Sequence, residues 1–98
     1  MQFNEILYFI DGDNAKQIAW MKKQISIADS VNQTIKVILV NGNIQESAKN
    51  LNERVYFDQY GKLCQRFGVV HTPTVVYQPV NNGSIMPRLM VKEVSDGL

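Results

Sequence analysis

The 98-residue sequence contains a single cysteine, Cys64. That excludes an internal disulfide, and with it any reaction that cycles a Cys-x-x-Cys pair within one chain. A lone cysteine also carries no information about redox compartment. Long apolar runs are missing too. No stretch approaches the roughly 18–20 residues of a membrane-spanning helix, so direct membrane insertion is not expected. Neither charge sign dominates: 10 basic and 9 acidic side chains nearly cancel, and neither is gathered into a run. Bulk-charge binding to nucleic acid or to a membrane surface is therefore not expected. The opening "MQFNEILYFIDGD" lacks the basic start, apolar core and small-residue cleavage site of a secretory signal, and the first strand begins within about five residues of Met1. The expectation is a chain cut close to its domain. No cofactor is expected.

What is present fits one globular domain over 1–98, with 45% apolar and 19% charged residues. "ILYFI" (Ile6–Ile10) reads as a buried strand ending in the turn "DGD". A helix from Asn14 to about Asp29 places Ile18, Met21, Ile25 and Ala28 on one face, and Asp13 or Asn14 can cap it. "IKVILV" is a second strand, broken by "NGN". "IQESAKNLNE" is a helix with Ile44, Ala48 and Leu51 on one side, and "RVYF" is a short extended piece. A helix over Asp58–Phe67 would align Tyr60, Leu63, Cys64 and Phe67, with Gly68 as its left-handed cap. "TVVYQ" is a strand, "NNGS" a turn, and "RLMVKEV" its hairpin partner. Parallel strands joined by helices and closed by a hairpin after a proline give an α/β, thioredoxin-like arrangement. The expected sheet is mixed, with about four strands, flanking helices and no terminal helix.

The stretch "RFGVVHTPTVVYQ" resembles the proline loop that enters the active-site strand of thioredoxin-like domains. Pro73 is expected to be cis, because only an X-Pro bond reaches that state cheaply. A trans proline at a strand start is the plain alternative. Cys64, placed mid-helix on an apolar stripe, reads as a small core residue facing away from His71, and no catalytic residue is assigned. "DGDN" stands where thioredoxins carry their sulfur pair. Asp11 and Asp13 imitate the start of a calcium loop, but Ala15, Lys16 and Lys22 fill the fifth, sixth and twelfth places, so no metal is expected. Trp20 and Ile27 are read as lying opposite the Ile18–Met21–Ile25 face, on a side that is either covered by the domain itself or presented as a surface to a partner.

Three pieces, "YFIDGDNAKQIAW", "IKVILVNGN" and "VYFDQYGKLCQRFGVVHTPTVVYQ", taken in order, resemble the TraW family of pilus-assembly proteins. That family serves F-type conjugative type IV secretion systems, and the likeness runs from Tyr8 to about Glu93. The resemblance implies a C-terminal thioredoxin-like core without the redox pair, acting in the periplasm alongside a TrbC-like protein and other secretion components. It also implies a signal peptide and N-terminal region absent from this chain. Two features depart from the family. The proline loop reads Thr72-Pro73-Thr74 where Val-Pro-Ala is usual, and the turn "NNGSIMP" is long.

The function expected is non-catalytic: docking of a partner segment, by strand addition, into a groove formed by Asp11, Asp13, Asn14, His71, Thr72, Pro73 and Thr74. The competing expectation is a thiol enzyme using Cys64, with His71, in redox or peroxidase-like chemistry. A third is a chaperone-like binder using the same groove.

Overall fold

Alternation along the strands decides which side chains meet which helix. The computed structural model describes residues 5–81, 84–85 and 89–94, with the backbone alone at 80, 81, 84 and 85. Its elements run β1 (Ile6–Asp11), α1 (Ala15–Ser30), β2 (Ile35–Asn41), α2 (Ile44–Leu51), β3 (Val55–Phe57), a short 3-10 turn (Gln59–Gly61), α3 (Lys62–Phe67), β4 (Thr74–Tyr77), β5 (Val80–Asn81), β6 (Ser84–Ile85) and β7 (Met90–Glu93). The main sheet has five strands in the order β3-β2-β1-β4-β7. β1, β2 and β3 are parallel, while β4 runs antiparallel to β1 and to β7. The sheet gains a fifth strand over the expected four because Val55–Phe57 of "RVYF" pairs with β2, Val55 opposite Val37.

β1 is buried on both faces, as its unbroken apolar run requires. Tyr8 and Ile10 point to one side, with Val37 and Leu39 of β2, against Met21 and Ile25 of α1 and Leu51 of α2. Leu7 and Phe9 point to the other, with Ile38 and Val76, against Val69 and the partly buried Leu63, Cys64 and Phe67 of α3. Phe9, Ile10, Met21 and Leu39 are wholly inaccessible, and each such side chain contributes about 1.5–3 kcal/mol by leaving water.

Two sequence expectations about helix faces are corrected here. Ile44 of α2 is exposed and Ser47 is buried. The reason is Gly12, where an added Cβ would lie 2.6 Å from Ser47 Oγ, so only a small side chain fits between helix and turn. The expected Asp58–Phe67 helix is broken, and α3 proper starts at Lys62. Tyr60 and Gly61 adopt left-handed backbone (φ 59° and 67°), which resets the phase and leaves the Tyr60 side chain 84% exposed rather than on a stripe with Leu63 and Phe67.

Candidate functional site

The carboxyl ends of β1 and β2 and the start of β4 meet at one edge of the sheet. There the "DGD" and "NGN" turns pack back to back. Gly42 has φ 106°, and a Cβ on it would come within 2.9 Å of the Gly12 backbone. The Gly12 amide donates to the Asn41 carbonyl at 2.9 Å. Asn41 Nδ2 donates to Asp11 Oδ1 (3.0 Å) and Asp13 Oδ2 (3.1 Å), and the Asp13 amide also donates to Asp11 Oδ1 at 2.9 Å. Asn14 is the α1 cap, its side-chain oxygen accepting from the amides of Lys16 and Gln17. The place of a sulfur pair is thus taken by a turn and a cap. Among the described residues, no three metal-ligating side chains gather.

The Thr72–Pro73 bond is cis. Of the seven residues proposed for the groove, Asp13, Asn14 and His71 are exposed, and Asp11 and Thr72 are half-buried. Pro73 and Thr74 are under 2% exposed and face the interior. Three successive carbonyls of the loop are occupied by the chain itself. His71 C=O accepts from Thr74 Oγ1 (2.6 Å), Thr72 C=O from Gln17 Nε2 (3.2 Å), and Pro73 C=O from the Val94 amide (2.9 Å). Each of these carbonyls has a second lone pair, so strand addition, expected from the sequence, would share them with these internal bonds. What the site offers outward is a side-chain rim of Asp13, Asn14 and His71, with His71 Nε2 4.0 Å from the Glu93 carboxylate.

Sequence reasoning missed two residues here. Gln17, 6% exposed, takes an inward position on α1, one turn before Met21. The signal was a polar residue at the helix-face spacing of the apolar ones. Asp58, 4% exposed, accepts from the amides of Leu63 (2.7 Å) and Cys64 (3.0 Å), and so caps α3 from beyond the 3-10 turn. It also accepts from the Cys64 thiol.

Cys64 departs from its expected place. It is half-buried, not a sealed core residue, and it lines a cavity of about 230 Å³ with Val40, Val69, Val70, His71 and Thr72. Cys64 does share the α3 face of Leu63 and Phe67, as expected, but His71 reaches the same cavity because the chain turns back after Gly68. The chemistry of the thiol is nevertheless set by Asp58. Burial first, then the hydrogen bond to Asp58 and its negative charge, push the Cys64 thiol up to about 12. A thiol in that state is protonated across the physiological range and is a poor nucleophile.

Trp20 also departs from its expected place. At about 100° per residue it stands on the shoulder of the α1 stripe next to Met21, not opposite it. Its ring reaches back to Tyr8 in a T-shaped pair, centroids 5.7 Å apart, and packs against the core. Ile27 is 58% exposed, as expected. Trp20 instead walls a groove of about 540 Å³ with Tyr8, Gln24, Val75, Tyr77 and Lys92, where α1 ends its cover of the sheet.

Comparison with known proteins places this geometry. No protein-family model matches the chain. The protein TraW of Escherichia coli K12 is 50% identical over 74 residues, which is 76% of this chain. The chain spans about a third of that relative's length (33%). The solution structure of a Neisseria meningitidis protein, described as a candidate thioredoxin, superposes with a TM-score of 0.60 over 95% of this chain and 67% of its own, at 24% identity. That likeness establishes a thioredoxin-like fold, and the TraW match establishes kinship: over 76% of its length the chain is a homologue of about a third of TraW.

Proposed function

We propose that the chain is a non-catalytic docking domain of a periplasmic assembly factor, acting in pilus assembly of an F-type conjugative secretion system. The observation that carries the reading is the 50% identity to TraW, joined to a thioredoxin-like site that holds no redox pair. The only thiol supports it, being bonded to Asp58 and held at about 12. A TrbC-like protein is the proposed partner. Two surfaces are the proposed contacts: the rim of Asp13, Asn14 and His71, and the Trp20 groove. Their chemistry suits protein recognition, one offering polar side chains and the other an aromatic-walled hollow.

Capture of a purified TrbC-like protein by the chain tests this. Retention by wild type is expected, with at least about a tenfold loss in a rim variant (Asp13→Ala with His71→Ala) or in Trp20→Ala. Wild-type binding by both folded variants would eliminate both surfaces. The cavity shared by Cys64 and His71 keeps a thiol enzyme as the second reading, which turnover of a peroxide or of insulin disulfides would establish.

A further inference from the structure

The β1–β4 ladder contains a gap that one side chain fills. Phe9 lies opposite Thr74 in antiparallel register. The next pair facing the same way is Asp11 with Thr72. No direct bond closes that step. The Asp11 amide donates to Gln17 Oε1 at 2.8 Å, and Gln17 Nε2 donates to the Thr72 carbonyl at 3.2 Å. The primary amide of Gln17 therefore stands in for a peptide group, accepting at one end and donating at the other. It does so buried, at 6% exposure. A carboxylate would supply only acceptors, a lysine only donors and a leucine neither, so the position demands a side-chain amide.

We propose that Gln17 is the positioning residue for the His71–Thr72 segment: by spanning Asp11 and Thr72 it fixes the proline loop against the first turn. It thereby sets His71 relative to Asp13 and Asn14. That the rim so fixed serves partner docking rests on the function proposed above. Asn14 lies on the same turn as Gln17 and caps the same helix, so one short stretch, Asp11–Gln17, builds both sides of the rim.

The test uses Gln17→Leu and Gln17→Glu in the intact chain, followed by amide resonances and amide hydrogen exchange. In Gln17→Leu, the Asp11 amide should exchange at least about tenfold faster and the His71 and Thr72 resonances should move, while the amide of Met21 stays protected. In Gln17→Glu at neutral pH the carboxylate still accepts from Asp11 but cannot donate to Thr72. Only the loop should move, and acidification should return its resonances to wild-type positions as the acid regains a donor. A role as mere core filling would give no such pH-dependent return. Unmoved loop resonances in Gln17→Leu, or a Gln17→Glu spectrum indifferent to pH, would overturn the positioning role. A displaced loop with unchanged capture of the TrbC-like protein would overturn the docking reading alone.

Discussion

The Cys64 thiol should react at a rate set by its ionisation rather than by access. Burial, the bond to Asp58 and the charge of Asp58 move it from an ordinary 9.0 to about 12. Each pH unit is tenfold in thiolate, so near pH 8 the native protein holds about a thousandth of the thiolate of an ordinary cysteine. Cys64 nevertheless lines a cavity of about 230 Å³, space enough for a small reagent. Iodoacetamide should therefore alkylate the native chain about 1,000-fold more slowly than the urea-unfolded chain, with the rate climbing tenfold per pH unit past pH 9 and no plateau there. Asp58→Asn keeps the shape and removes the charge. Since burial is the leading cause, it should recover only part of the deficit, about tenfold in rate. A native rate equal to the unfolded rate, a plateau near pH 9 (about the free-thiol value), or an unchanged Asp58→Asn rate would refute the reasoning.

Other perturbations follow from the same contacts. Burial works against ionisation of Asp58, but bonds from the Cys64 thiol and from the Leu63 and Cys64 amides outweigh it and hold the carboxyl below its ordinary range. A lowered folded-state pKa adds stability above the unfolded value of about 3.9 and loses it as pH falls through the folded one. The urea midpoint should therefore drop on acidification below about pH 4, and Asp58→Asn should flatten that drop; an equally steep drop would assign it to other groups. Trp20→Ala should cost about 2 kcal/mol by removing a partly buried ring and its Tyr8 pair, whereas Ile27→Ala should stay within about 0.5 kcal/mol. Equal costs in urea titration would return Trp20 to the free surface. Gly42→Ala should destabilise by about 2 kcal/mol or more, because strain adds to a backbone clash, against about 1 kcal/mol for Gly61→Ala, where nothing lies within 4 Å of the added carbon. Thermal midpoints that fail to separate the two would remove the close approach of Gly12 and Gly42 from the account.

Where apolar periodicity set the structure, the sequence was readable. The runs "ILYFI" and "IKVILV" had to be buried strands, and Met21, Ile25 and Ala28 had to face them. "TPT" opening a β-branched run located the proline loop. Where polar contacts across long separations set it, the residues gave less. Gln17 meets Thr72 across 55 positions, and nothing in either neighbourhood announces that bond. Asp58 looked like a helix residue, yet it caps from outside the helix, and the left-handed pair Tyr60–Gly61 hid the start of α3 from a phase count. Cys64 keeps its face with Leu63 and Phe67, but no helix phase could show that the Val69–Thr72 return would open a cavity beside it. Trp20 failed for a different reason: a wheel ranks positions by angle, and a ring on the shoulder is long enough to reach the core anyway. Residues 86–88 of the long turn "NNGSIMP" and its sequel lie outside the described residues, as do Asn82 and Gly83.

The central claim, docking without thiol chemistry, is tested most directly by conjugative transfer in cells whose TraW-type protein carries Cys64→Ser. Transfer at the wild-type frequency is the expected result, with the Asp13→Ala, His71→Ala rim variant depressed at equal protein abundance. Loss of transfer in a folded, normally abundant Cys64→Ser protein would contradict the account and make the thiol the working group.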